Sequence, residues 1–289
     1  MRVVSVALVI EPLHRVDAPG AAWLDVEIHD HVGSQAWFFG HCMDSLTGFG
    51  VPDPLLAMSP PPSFQLFGLD HLVVIGMTVA IAAALVFLAR RHGEGHVVVR
   101  RSVKVLAWLL FLSFPLKFMA FYFSGAPMHE HGLPMHLCNW AAIIGGLALL
   151  TKRQLFCELL YFWGLAATLQ AVITPNLPYG FPHAIFFTFF ITHSGVVIAA
   201  IVVAFGLRRS PAPGGVWRAI FWLQAYLVVA VIVNSLTGAN YGFLREKPAM
   251  GSLIDHLGDW PYYIIGLEAV ALISFLLLNL PFVRRNHVK

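Results

Sequence analysis

The chain has 289 residues and a formal net charge of +3, with 58% hydrophobic and only 11% charged residues. Soluble domains carry about 25% charged residues, so the composition excludes an ordinary soluble fold. The basic residues lie between apolar blocks and form no nucleic-acid-binding patch. The three cysteines, Cys42, Cys138 and Cys157, build neither a disulfide framework nor a CxxC pair.

Residues 1–63 are rich in His, Asp, Gly and Pro and end in Pro60-Pro61-Pro62. Their only apolar run, 3–10, is too short to span a bilayer, and no convincing signal-cleavage site follows it. The stretch reads as a poorly ordered N-terminal extension to a membrane domain at 64–289, or as the product of an upstream start codon, with Met58 as a second candidate start. Beyond it, apolar blocks of about 20 residues recur, the length that crosses a hydrocarbon core of ~30 Å. They predict seven spans at 66–89, 104–124, 134–150, 155–174, 182–206, 216–237 and 261–281. Pro134, Pro182 and Pro261 fall at helix openings, and Pro175 and Pro178 follow the fourth span. The expected fold is all-α, a polytopic membrane bundle of about seven transmembrane helices.

Basic residues concentrate in alternate loops: Arg90 to Lys104, Lys152-Arg153, Arg208 to Arg218, and the C-terminal Arg284, Arg285 and Lys289. These hold 13 of the 18 Lys and Arg residues, whereas 125–133 and 175–181 hold none. The positive-inside rule then predicts a multi-pass cell-membrane protein with a cytoplasmic C-terminus and a first span that starts outside.

Polar groups inside spans are costly and are commonly retained for function. Cys138 lies about four residues into span three, beside His136 and Asn139; His193 lies about eleven residues into span five. A thiol beside an imidazole has the makings of a nucleophile and its base, although the expected depths differ by about 10 Å at 1.5 Å per residue. Each residue also has a simpler reading, as a small buried thiol or a histidine bonded to a backbone carbonyl. His71, with Asp70, opens span one, and Asn240 lies beyond span six. Lys117 and Glu268, at similar depth in spans two and seven, are expected to pair. Glu158 and Cys157 are expected at the interface, at the cytoplasmic end of span four. The run Phe186, Phe187, Phe189 and Phe190 gives span five an aromatic wall.

These residues also carry a resemblance. Leu133-Pro134-Met135-His136-Leu137-Cys138, Tyr161-Phe162-Trp163-Gly164, Thr174-Pro175-Asn176-Leu177, Gly180-Phe181-Pro182-His183 and Phe189-Phe190-Ile191-Thr192-His193-Ser194-Gly195 occur in order. They are followed by the run from Gly238 to Pro248, including Asn240-Tyr241-Gly242, and by Gly258-Asp259-Trp260-Pro261-Tyr262. From Phe67 to Phe282 the chain resembles the YwaF-like family of bacterial integral membrane proteins. It is similar, more distantly, to eukaryotic transmembrane protein 164, a cysteine-dependent acyltransferase that moves a polyunsaturated acyl chain between phospholipids. The resemblance implies that Cys138 and His193 form the catalytic pair.

The leading expectation is therefore a membrane acyltransferase that passes a fatty acyl chain between phospholipids through a Cys138 thioester, with His193 as general base. His136, Asn139, His71 and Asn240 are the candidate substrate-binding residues. Membrane phospholipids are the expected partners, and neither nucleic acid, metal nor cofactor is required. The alternative is a non-catalytic transporter or lipid-binding protein. A metal site on His71, His136 and His193 is a third reading without supporting close spacing.

Overall fold

The computed structural model describes residues 62–125, 131–248 and 253–286. Nearly all of the expected N-terminal extension, with Cys42, lies outside the described residues. The described residues include seven apolar helices: α1 (Leu69–His92), α2 (Val97–Phe123), α3 (Leu137–Thr151), α4 (Gln154–Ile173), α5 (Ala184–Gly206), α6 (Gly215–Thr237) and α7 (Tyr262–Asn286). Six are long and apolar enough to cross a membrane. The exception, α3, has 15 residues, about 22 Å at 1.5 Å per residue.

Local chemistry sets several boundaries. Gly93, at φ 78°, ends α1 after a last turn of Arg90, Arg91 and His92. The side chain of His96 then caps α2 by accepting from the Val98 amide. The connection is only 93–96, so Arg100, Arg101 and Lys104, expected in a loop, are helical and exposed. Long basic side chains are good helix formers, and hydropathy alone places a helix end too early there. Span three begins at Leu137 instead of Pro134, because residue 136 is still extended, with ψ 145°.

The layering follows from burial. In α5, 67% of the apolar window is buried within the protein, and in α4 56%, against 17% in α1 and 11% in α7. α4 and α5 are thus interior helices. α3 packs on α2, α4 and α5, while α6 packs on α4 and α7 packs on α4 and α6. Both interior helices contain a π-helical turn, Gly164–Thr168 in α4 and Val202–Gly206 in α5.

Glycine sets the register where α2 meets α3. A Cβ on Gly146 would lie 2.5 Å from the Phe111 ring, and one on Gly145 would lie 2.9 Å from Leu110. Leu110, 1% exposed, also reaches Gly195 of α5, where a Cβ would stand 3.1 Å away. The absent side chains leave room for large ones, so three helices interlock.

One end of the bundle is tied by ions. Glu94 of the α1–α2 connection bridges Lys152 and Arg209, so the three basic loops meet at this end. Glu158, expected at the interface, is instead fully buried. Its carboxylate accepts from Arg218 Nε and Nη2 at 2.8 Å each, from Gln154 Nε2 at 2.9 Å and from the Ala212 amide at 2.9 Å. Buried carboxylates persist when paired and fully hydrogen-bonded. Residue depth in the sequence does not reveal that Glu158 faces inward.

The expected Lys117–Glu268 pair does not form among the described residues. Glu268 on α7 takes a hydrogen bond from Gln224 of α6. Lys117 on α2 lies over the Phe121 ring, with Nζ 5.8 Å from its centroid. The reason is helix order: α2 packs on α3 and α5, and α7 on α4 and α6.

Candidate functional site

Cys138 is the second residue of α3 and is partly buried. His193 is the tenth residue of α5 and 8% exposed. The thiol and the imidazole face one another closely enough to interact directly. α3 begins three residues later than its proline suggests and falls about 8 Å short of a full ~30 Å span.

The histidine is oriented from its own helix. Nδ1 lies 2.7 Å from the Phe189 carbonyl, one turn back. A carbonyl only accepts, so Nδ1 carries the proton and Nε2 presents a lone pair. The Phe189 ring stacks on the imidazole at 4.0 Å between centroids and 24° between planes. Next to His193, Ser194 accepts a 2.9 Å hydrogen bond from Thr78, which fixes α5 against α1.

The N-terminus of α3 is held by α6. Tyr226 Oη donates to the Met135 carbonyl at 3.1 Å and lies against the Leu137 amide. Tyr226 also packs edge-on to Trp140, 5.6 Å between centroids. Tyr226 is not among the site residues expected from the sequence, yet the sequence carries a signal for it. A tyrosine twelve residues into an apolar helix is away from the usual interfacial belt and needs a partner for its hydroxyl. Gly242 fits here because of both conformation and space: φ is 71°, and a Cβ would come within 2.7 Å of Tyr226 Oη.

The expected binding residues separate into two groups. His136 and Asn139 flank Cys138. His136 accepts from the Gly242 amide at 3.4 Å and meets Tyr241 edge-on. Asn139 is 2% exposed, and among the described residues neither its Oδ1 nor its Nδ2 has a hydrogen-bond partner. Buried polar atoms in folded proteins are nearly always satisfied, so this amide is the uncommitted polar group of the site.

His71 and Asn240 are committed elsewhere. The His71 ring accepts from the Phe67 amide at 3.1 Å and bonds the Val172 carbonyl at 2.8 Å. Both nitrogens are used in fastening α1 to α4, which leaves neither for a ligand. Asn240 Oδ1 accepts from the Arg245 and Glu246 amides, and its Nδ2 donates to the Glu246 carbonyl, so its amide organises the loop after α6. Among the described residues, His71, His136 and His193 do not gather as a metal-ligand group.

Fold and site together define a polytopic all-α membrane protein with a thiol and an imidazole facing each other inside the helix bundle. The chain belongs to the TMEM164 family, whose model matches residues 66–279; the YwaF-like resemblance occupies the same stretch and is compatible with it. The chain is also similar to an uncharacterised protein of Treponema pallidum (strain Nichols), 27% identical over 226 residues, which is 78% of this chain and 92% of the relative. No solved structure gives a significant match.

Proposed function

We propose that this protein is an acyltransferase that moves a fatty acyl chain from a donor phospholipid to a lipid acceptor through a thioester on Cys138. The observation that carries the reading is the Cys138 thiol facing a His193 ring whose Nδ1 is fixed on the Phe189 carbonyl. Nε2 is then the acceptor for the thiol proton, as general-base activation of a nucleophile requires.

In the first half-reaction Nε2 takes the thiol proton and Sγ adds to the ester carbonyl carbon. The carbonyl π pair moves to oxygen. Collapse of this adduct breaks the ester C–O bond, and the imidazolium returns the proton to the leaving lyso-lipid alkoxide. In the second half-reaction an acceptor hydroxyl gives its proton to Nε2 and attacks the thioester, releasing Cys138. Atoms and electrons balance without a redox partner.

The partial exposure of Cys138, with Phe189 stacked on the His193 ring, suits a substrate that approaches from the lipid. The distribution of Lys and Arg supports a cytoplasmic C-terminus and a site in the outer half of the membrane. The test is transfer of a labelled acyl chain from a phospholipid to a lyso-lipid acceptor by the purified protein. Transfer that disappears in Cys138→Ala and in His193→Ala supports the mechanism. Transfer retained in both overturns it, and a parent protein that binds lipid without transferring the label favours a non-catalytic lipid-binding protein.

A further inference from the structure

Lys117 has a long flexible cation in an apolar helix and no carboxylate partner among the described residues. A charge placed so deep in a span is costly and faces the interior of a bundle when it is used. The helix register says what it faces. Gly145 opposes Leu110, and Gly146 opposes Phe111, across the antiparallel α2–α3 contact. Two helical turns, about 10 Å, toward the start of α3 lead from Gly145 and Gly146 to Cys138 and Asn139. Two turns toward the end of α2 lead from Leu110 and Phe111 to Lys117 and Phe118. The glycine contacts therefore bring Lys117 opposite Cys138, and the two side chains lie within electrostatic range.

We propose that Lys117 is a third catalytic residue, whose ammonium holds the oxyanion formed when Cys138 adds to the substrate ester, with the Asn139 amide as a second donor. This rests on the acyl-transfer reading above. Before reaction the cation has no carboxylate neighbour among the described residues. When the C–S bond forms and the carbonyl π pair moves to oxygen, a full negative charge appears one carbon away from the sulfur. A donor that meets its charge only in the adduct lowers the barrier without tightening substrate binding. Phe121, under the ammonium, supports its position through the ring face.

The experiment compares the parent protein with Lys117→Met and Lys117→Arg. Each receives a phospholipid donor and a neutral diacylglycerol donor, with kcat and KM measured separately and Cys138 alkylation by iodoacetamide as a check on the site. The expected result is a kcat lower by about 100-fold in Lys117→Met on both donors, the usual scale for loss of one oxyanion donor. KM should stay close to the parent value, Lys117→Arg should recover part of the rate, and Cys138 should still be alkylated. Removing an unpaired cation from a span relieves a cost, so thermal stability should hold or rise, which separates this effect from misfolding. A Lys117→Met protein that transfers like the parent overturns the assignment alone. So does a loss confined to KM for the phospholipid donor, which makes Lys117 a headgroup anchor. A parent protein that transfers nothing overturns the acyl-transfer reading and this assignment with it.

Discussion

His193 Nδ1 lies 2.7 Å from the carbonyl oxygen of Phe189. This single contact fixes which ring nitrogen is protonated and turns the other toward the Cys138 side. The base is prepared by its own helix, with no third side chain needed to orient it. Replacing His193 by Ala should lower kcat by 100- to 10,000-fold, the range for general-base loss. The rate of Cys138 alkylation should fall in the same variant. Acyl-transfer kinetics alongside timed iodoacetamide labelling checks both, and unchanged values in either would separate the histidine from the thiol.

Gly146 admits no side chain because Phe111 occupies the space. Gly146→Ala is expected to cost about 1–3 kcal/mol, the range for overpacking a core. The thermal midpoint in detergent measures it. Adding Phe111→Leu should return most of the stability, because the smaller side chain withdraws from the clash. A double variant no more stable than Gly146→Ala would show that the register is set elsewhere.

Glu158 joins α4, α6 and the α5–α6 loop through four hydrogen bonds. Glu158→Ala removes the acceptor of Arg218 and of the Ala212 amide, while Gln154 Nε2 keeps the Ser210 carbonyl. Arg218 retains 43% side-chain exposure and can turn to solvent, so the loss should be about 2–3 kcal/mol, below the 3–5 kcal/mol of a fully enclosed pair. The residue is at the end of the bundle tied by ions, away from the thiol. Catalytic turnover per folded molecule should therefore change little, as read by activity normalised to folded protein.

Tyr226 holds the start of α3 through the Met135 carbonyl. Tyr226→Phe should cost about 1 kcal/mol in stability, the worth of one hydrogen bond. Its effect on transfer should be larger than that cost suggests, because the α3 start positions Cys138. The same reasoning makes Gly242→Ala harmful twice, through its positive φ and through contact with Tyr226 Oη. Parallel measurement of thermal midpoint and kcat in the two variants checks the link.

Much of the architecture was legible because hydrophobic blocks of span length leave few other options in lipid. Cys138 and His193 stood out for the same reason: each is a polar side chain where the bilayer discourages one. Three things were not legible. The first is facing. Glu158 reads as interfacial by its place in the chain, but its helix turns it inward to Arg218. The second is neighbourhood. Lys117 and Glu268 share a depth, yet hydropathy does not state which helices touch, and the two lie on helices with different neighbours. The third is the start of α3. Pro134 is a plausible helix opening, and the extended backbone at His136 sets the start at Leu137. His71 and Asn240 have the composition of site residues, but their polar atoms are spent on Val172, Phe67, Arg245 and Glu246.

The most direct test of the central claim is the intact mass of the purified protein after brief exposure to a phospholipid donor without acceptor. A covalent acyl enzyme predicts a mass increase equal to one fatty acyl group, located on Cys138, removed by neutral hydroxylamine and absent in Cys138→Ala. A protein that transfers acyl chains while its mass stays unchanged, or that carries the same adduct after Cys138→Ala, would contradict the account.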